Sequence, residues 1–382
     1  MDNLTHSLVG LTSAKAGLGR LSPHATAVCI ASANAADLDF ISLFFGDRWT
    51  LLQNHRGITH SIVGTIAIGG LVPILFFAFE RIVARFRDRA PRIRFRGLLI
   101  ASMIAAATHP LMDWTNNYGL RPLLPWSGSW FYADWVFIVD PYIWLVLGGA
   151  AFLLTATTRF KTIAWAVLGS FVTALILLAA RQRTVDGAAL SAASVVWIAG
   201  ILLLIALRIF GAEKRVRRST AIAALALVVI YWGGLALMHR AAHANTLAIA
   251  GDVANRQGEK FIRAATMPML ATPLRWQAVA ETDRAIYRFP VGIKEKDRDG
   301  ANAERMDRFE KPTGQAVEIA ALAERDRRAQ VLLGFARFPL SKVADTNCTG
   351  RTLVQFADLR YTEPGAARGN FAVNIPVDCP AR

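Results

Sequence analysis

Residues 81–96 read RIVARFRDRAPRIRFR, seven arginines against the single aspartate Asp88. This stretch lies between two apolar runs, 62–79 and 98–108. Apolar runs interrupted by a short, densely basic loop read as two membrane-spanning helices joined on the cytoplasmic side, where Lys/Arg-rich loops are retained. The rest of the chain agrees with that reading. Of its 382 residues 54% are hydrophobic, the mean hydropathy is +0.34, and the runs 190–210 and 220–238 reach or exceed the ~18 apolar residues that mark a spanning helix. A soluble core has no need of such runs. The formal charge of +15 sits, over the first 240 positions, in a few short loops. It therefore speaks for orientation before nucleic acid, and no nucleic-acid partner is expected.

Working outward from the basic loop sets the topology. Forward, 98–108 runs out, the aromatic loop 114–135 lies outside, and 136–157 returns to Arg159 and Lys161. The run 162–180 goes out again and 190–210 comes back to a second basic loop, EKRVRR at 213–218. Both basic loops land on one side, an internal check on the count. The last span, 220–238, places everything after His239 outside. Backward, 62–79 begins outside at His60. Ser22-Pro23 is a helix-start signal for the small-residue helix 25–36, which ends at Asp37 and Asp39. Residues 4–18, with His6 and Lys15, form a weak helix too short and polar to face lipid on all sides. The expected fold is an α-helical multi-spanning membrane protein of about eight helices, the first two short or sheltered, with a small C-terminal mostly-β soluble domain. No signal peptide is expected, since Met1-Asp2-Asn3 lacks a basic n-region and no cleavage site follows an apolar stretch.

The membrane domain is read as 1–243 and the extracytoplasmic domain as 244–382. In the latter, 275–280, 285–289, 330–338 and 352–356 read as strands, with a helical piece over 316–328 and turn signals at Asp299-Gly300 and Pro364-Gly365. Cys348 and Cys379 fall in this oxidising compartment, which leaves a disulfide between them open. Cys29 lies within a span and reads as inert. The role of this domain is not legible in the sequence.

The topology brings His6, Asp37, Asp39, His60, His109 and Asp113 to the outer leaflet. His109 and Asp113, at i and i+4, project from one helical face. An imidazole and a carboxylate side by side in an apolar setting suit a divalent metal, zinc before others. A bland reading stands beside each residue: Asp37 and Asp39 as a helix-end turn, His6 as a satisfied core histidine, His109 and Asp113 as partners of one another. His24 reads as structural, and His239 and His243 as cations at a helix C-terminus. Convergence on one leaflet favours the metal. On that reading His60, His109 and Asp113 make a first set, and His6 and Asp37 complete it or hold a second ion, with one to three ions in all. Asp39 or Asp134 then acts as general base or orients a ligand. Arg56 either neutralises a substrate phosphate or anchors its loop to lipid headgroups, and Asp140 before Pro141 caps a helix. Trp126, Trp130, Phe131, Tyr132 and Trp135 suit an interfacial belt, so a lipid or lipid-linked phosphoester is the expected substrate.

Thr5-His6-Ser7-Leu8-Val9-Gly10, the Asp37-Leu38-Asp39 step and the block from His55 to Ser61 carry a resemblance. So do His109-Pro110-Leu111-Met112-Asp113 with the following Asn-Tyr-Gly, and Asp134-Trp135 through Asp140-Pro141. Together they resemble the signature blocks of the LexA-binding, inner-membrane-associated (YdjM-like) family of metal-dependent hydrolases, over roughly residues 1–160. That family often has Pro before the first Asp of its Asp-x-Asp step, where this chain has Ala36. The order His, Asp, His, His-x-x-x-Asp is more distantly similar to zinc-dependent phospholipase C and P1 nuclease, which implies phosphoester chemistry. What the resemblance implies is a hydrolase of the bacterial inner membrane with membrane lipid as its surroundings and a phosphoester as its substrate. The family name also invites a cytoplasmic repressor as partner of the basic loops, which orientation already explains. A non-catalytic scaffold or regulatory protein is the next reading. An ion-coupled transporter comes last, because the candidates gather at one face and no inverted repeat is visible. The oligomeric state stays open.

Overall fold

The structure is a computed structural model that describes residues 1–181, 187–211, 218–294, 306–347, 350–366 and 371–379. Helix α1 (Asn3–Ala16) starts at Asp2, whose carboxylate accepts from the Thr5 N–H at 2.9 Å. Its polar side chains Thr5, His6 and Thr12 are fully buried, sheltered by α2 (Ala25–Asn34), α5 (Phe95–Trp114) and α6 (Pro141–Thr155). A 3-10 run, Ala35–Phe45, continues α2 and is followed by α3 (Arg48–Asn54), a 3-10 turn Ile58–His60 and α4 (Ile62–Phe86). Then come α7 (Arg159–Arg181), α8 (Gly187–Ile209) and α9 (Arg218–Gln257). Among the described residues six helical stretches are long and apolar enough to cross a membrane, and α6 is a shorter apolar helix. Ile66, Leu71, Leu75 and Phe79 of α4 are all more than half exposed. Such a row is stable where hydrocarbon surrounds the helix and costly in water.

The chain divides into two compact units. One comprises Met1–Asp39, Arg56–Leu237 and Pro268–Pro273; the other comprises Phe40–His55, Met238–Met267 and Leu274–Arg382. Helix α9 runs on well past the apolar run 220–238. Its 40 residues make a rod of about 60 Å, twice the ~30 Å hydrocarbon core. Beyond residue 238 the pattern turns amphipathic, and Ala242, Ile249 and Ala250 pack on Trp276, Ala278 and Phe289 of the second unit.

That unit holds a sheet of β1 (Phe261–Met269), β2 (Thr272–Thr282), β3 (Ala285–Gly292) and β4 (Asp307–Glu310), in that order. A second sheet follows, of β5 (Pro339–Val343), β6 (Arg351–Asp358) and β7 (Ala372–Asp378). β2 and β3 pair antiparallel with Trp276 opposite Val291 and Ala278 opposite Phe289. Their other face, Val279 and Ile286, packs on Phe338, Leu340 and Leu359. Helix α10 (Gln315–Ala323) precedes α11 (Arg327–Phe335). The expected strand 330–338 is thus corrected: most of it is α11. Asp326 caps this helix by accepting from the Arg328 N–H at 2.8 Å, and Ala329, Leu332 and Phe335 share its buried face. Over so few positions a spacing of three mimics alternation. The sequence reading also does not place β1, β4, β5 or β7. Gly365 turns the chain at φ +85°, whereas the turn at Asp299-Gly300 lies outside the described residues. Cys379 is disulfide-bonded; Cys348, its expected partner, lies outside the described residues.

A buried acid anchors this unit. Burial pushes the Glu259 carboxyl up, but donation from Arg308 (2.7 Å), Thr282 (2.7 Å) and Tyr287 (2.9 Å) outweighs it, and its pKa is lowered. A depressed acid stabilises the fold fully above its unfolded value of about 4.3 and loses that contribution as pH falls through the lower folded value. Glu259→Gln is therefore expected to lower stability by about 2 kcal/mol at neutral pH. It should also flatten the acid limb that the wild type shows below about pH 4.3. Thermal unfolding of the full chain in detergent at several pH values measures both, and superimposable curves would contradict the assignment.

Candidate metal centre

Four separate pieces of chain meet at one end of the helical unit. The 3-10 run after α2 carries Asp37 and Asp39, and the 3-10 turn ahead of α4 carries His60. The last turns of α5 carry His109 and Asp113, and α1 contributes His6. His6, His60, His109 and Asp113 are fully buried, and Asp37 and Asp39 are 8% exposed. Ser61 starts α4 by accepting from the Gly64 N–H at 3.1 Å, which sets His60 at the mouth of that helix.

Asp37, His60, His109 and Asp113 form one group of convergent ligand atoms. His60 Nε2 lies 3.1 Å from His109 Nε2, 3.4 Å from Asp37 Oδ1 and 3.3 Å from Asp113 Oδ2. His109 Nε2 is 3.5 Å from each of the same two carboxylate oxygens. Ligands held tetrahedrally at Zn–N and Zn–O lengths of 2.0–2.1 Å stand about 3.3 Å apart. Five of the six separations in this group lie between 3.1 and 3.5 Å, and all four atoms fall within 4.8 Å of one another, a spacing compatible with one small divalent ion.

The imidazoles are held for this task. His109 Nδ1 bonds the Ala33 carbonyl at 2.7 Å; a carbonyl only accepts, so the proton sits on Nδ1 and the Nε2 lone pair faces the group. His60 Nδ1 has Thr59 Oγ1 at 3.0 Å and Asp39 Oδ2 at 3.4 Å. Asp39 also accepts from the Arg56 N–H at 3.1 Å and from the Thr59 hydroxyl at 3.2 Å. Asp39 thus stands behind His60 and orients it, as a carboxylate behind a ligating histidine does.

Asp113 uses both oxygens. Oδ2 faces the two histidines and Arg56 Nε at 3.1 Å, while Oδ1 meets the buried Met1 amino group and His6 Nε2 at 3.4 Å. His6 stacks on His109 with ring centroids 3.7 Å apart, and among the described residues Asp113 is its nearest acidic neighbour. His6 is thus brought alongside the cluster but is not one of its four convergent ligands. The donor set, two imidazoles and two carboxylates with a third imidazole alongside, thus fits a first-row divalent ion.

Of the other residues singled out above, Arg56 points into the protein. Its Nη1 donates to Asn116 Oδ1 (2.9 Å) and the Gly119 carbonyl (3.1 Å), and its guanidinium lies over the Tyr118 ring at 4.5 Å. Asp134 is buried with φ +58° on the loop after α5 and lies outside the four-residue group. Asp140 caps α6, accepting from the Tyr142 N–H at 2.8 Å. His239 and His243 bond Thr266 at 3.0 and 3.1 Å. Trp126 is 77% exposed on the aromatic loop. Sequence reasoning misses Asn116, Thr59 and the Ala33 carbonyl. Asn116 had a signal, two residues beyond Trp114 in the quoted block; a backbone oxygen had none.

Fold and site together define a multi-pass membrane protein with a buried histidine–aspartate cluster able to take a metal ion. The family model for the YdjM inner membrane protein matches residues 1–185. Over 144 residues the chain is 33% identical to the inner membrane protein YbcI of Escherichia coli (strain K12), covering 36% of this chain and 76% of that protein. It is also 26% identical over 155 residues to the uncharacterized protein YfhP of Bacillus subtilis (strain 168), covering 38% of this chain and 43% of that protein. This chain belongs to the YdjM inner membrane protein family and is located in the inner membrane as a multi-pass protein. No solved structure matches it.

Proposed function

We propose that this protein is a membrane-bound metal-dependent hydrolase acting on a phosphoester of a lipid or lipid-linked substrate at the outer face of the membrane. The observation that carries the reading is the spacing of Asp37 Oδ1, His60 Nε2, His109 Nε2 and Asp113 Oδ2. When bound there, zinc supplies Lewis acidity and lowers the pKa of water to about 7. The chain's own residues do the rest. The Ala33 carbonyl and Asp39 hold the two imidazoles in one tautomer and orientation. Arg56 is a positioning residue that offsets the charge of Asp113. Asp39 is taken up behind His60, so of the two carboxylates singled out for proton transfer Asp134 is the one assigned that role. Trp126 and Phe131, exposed on the aromatic loop, seat the site at headgroup depth, and the sheet domain is read as extracytoplasmic.

The test is elemental mass spectrometry of the detergent-purified full chain, followed by assay of the zinc-loaded and chelator-stripped forms on glycerophospholipids and a soluble phosphodiester. About one or more equivalents of metal, with phosphoester cleavage lost on stripping and restored on reloading, is the expected result. A folded protein that takes up no metal under any loading condition overturns the metal reading. Stoichiometric metal without cleavage of any lipid phosphoester leaves a metal-holding scaffold in its place.

A further inference from the structure

Between α1, α6, α7 and α8 lies a half-open cavity of about 680 Å³, well within the range of ligand sites. Its wall is hydrocarbon and indole. Three tryptophans contribute ring faces, and each spends its N–H inside the protein: Trp144 on Thr5 Oγ1 (2.9 Å), Trp165 on Thr155 Oγ1 (2.8 Å), Trp197 on Thr173 Oγ1 (2.8 Å). A polar small molecule finds almost nothing there to bond, and an alkyl chain loses nothing by entering. Along α7 the lining runs from Thr162 to Leu177, about 22 Å at the helical rise. That is longer than the ~15 Å of one leaflet's hydrocarbon, so the cavity takes a whole lipid tail rather than its tip. One end is different: Arg208, in the last turn of α8, borders the cavity and anchors on the Ala156 carbonyl at 2.9 Å. An arginine at the mouth of an alkyl slot matches a phosphate ester attached to a tail.

We infer that this cavity is a phospholipid site, holding one acyl chain along α7 with the lipid phosphate at Arg208. The end marked by Arg208 is the one the basic loops assign to the cytoplasmic leaflet, so the lipid enters sideways from that leaflet. The cavity lining shares no residue with the metal centre, although Leu4 and Leu8, which line it on α1, flank His6. Nothing in the inference requires hydrolysis of this lipid. Its physical role is to fill a space between helices that protein side chains leave open.

Gly169 supplies the decisive variant. It lines the cavity, and a Cβ built there has no neighbour within 4 Å, so Gly169→Trp fills the space without colliding with the fold. Val167, on the same helix and 65% exposed, gives the control Val167→Trp outside the lining. Native mass spectrometry of the full chain, released gently from detergent, should show one phospholipid retained by the wild type and by Val167→Trp. Gly169→Trp should reduce that retention at least about tenfold while keeping a monodisperse elution profile. Arg208→Gln should shift the retained lipid away from anionic species. If Gly169→Trp does not fold, Ala166→Phe in the same wall must show the same loss. Wild type without bound phospholipid, or filled variants that retain as much as the wild type, overturns the assignment.

Discussion

Asp113→Ala is expected to lower zinc affinity by more than about 100-fold, since loss of even an outer partner of a metal ligand costs 10–100-fold. The effect is large because one carboxylate serves several groups. Its Oδ2 is a corner of the quartet, its Oδ1 faces His6, and the same group pairs with Arg56 and the Met1 amino group. Removing it leaves a guanidinium that is 3% exposed without its carboxylate. An uncompensated buried charge costs about 3–5 kcal/mol, so the metal-free variant should also unfold earlier than the metal-free wild type. Competition titration with a chromophoric chelator measures the first effect and thermal unfolding in detergent the second. Undiminished zinc binding by a folded Asp113→Ala protein would remove this residue from the centre.

Gly64→Ala is the second. It touches no ligating group, and alanine ordinarily stabilises a helix relative to glycine by about 0.5–1 kcal/mol. At this position, however, a Cβ would overlap the Ile58 carbonyl oxygen and approach the carbonyl carbons of Ile58 and Thr59 to 2.8 and 2.9 Å. These are backbone atoms of the turn that carries His60, and Ser61 Oγ bonds the same Ile58 oxygen at 2.7 Å. The turn must move, and His60 with it. Ligand atoms need to stay within about 0.5 Å of their productive positions, so zinc affinity should fall at least about tenfold. Gly70→Ala, six residues further along α4 in open space, should leave it unchanged. Equal affinities in the two variants would mean that the turn does not set the geometry of the site.

These two substitutions separate what a sequence shows from what packing decides. His109 and Asp113 are legible because four residues of helix put both on one face. Gly64 is not, because its importance comes from a carbonyl in the preceding turn rather than from any property of glycine in a helix. Arg56 is a similar case: an arginine beside histidines suits a substrate phosphate, yet here its fork is directed at Asp113 and Asn116. Residues 330–338 read as a strand because a short apolar spacing has no unique period, and the Asp326 cap that distinguishes helix from strand is a single side chain.

By itself the sequence determined the class of protein: apolar runs and arginine-dense loops are properties of neighbouring residues, and transfer into lipid depends on little else. It also determined that histidines and aspartates from distant segments fall at one end of the bundle, because each sits at a helix terminus whose direction the loops dictate. Only the tertiary structure decided which of them meet at metal-ligand distance, which nitrogen of His109 faces its neighbours, and that α9 continues into the sheet unit. Those outcomes depend on the packing of helix ends and on a backbone carbonyl, Ala33, that every residue type carries alike and no sequence pattern can mark.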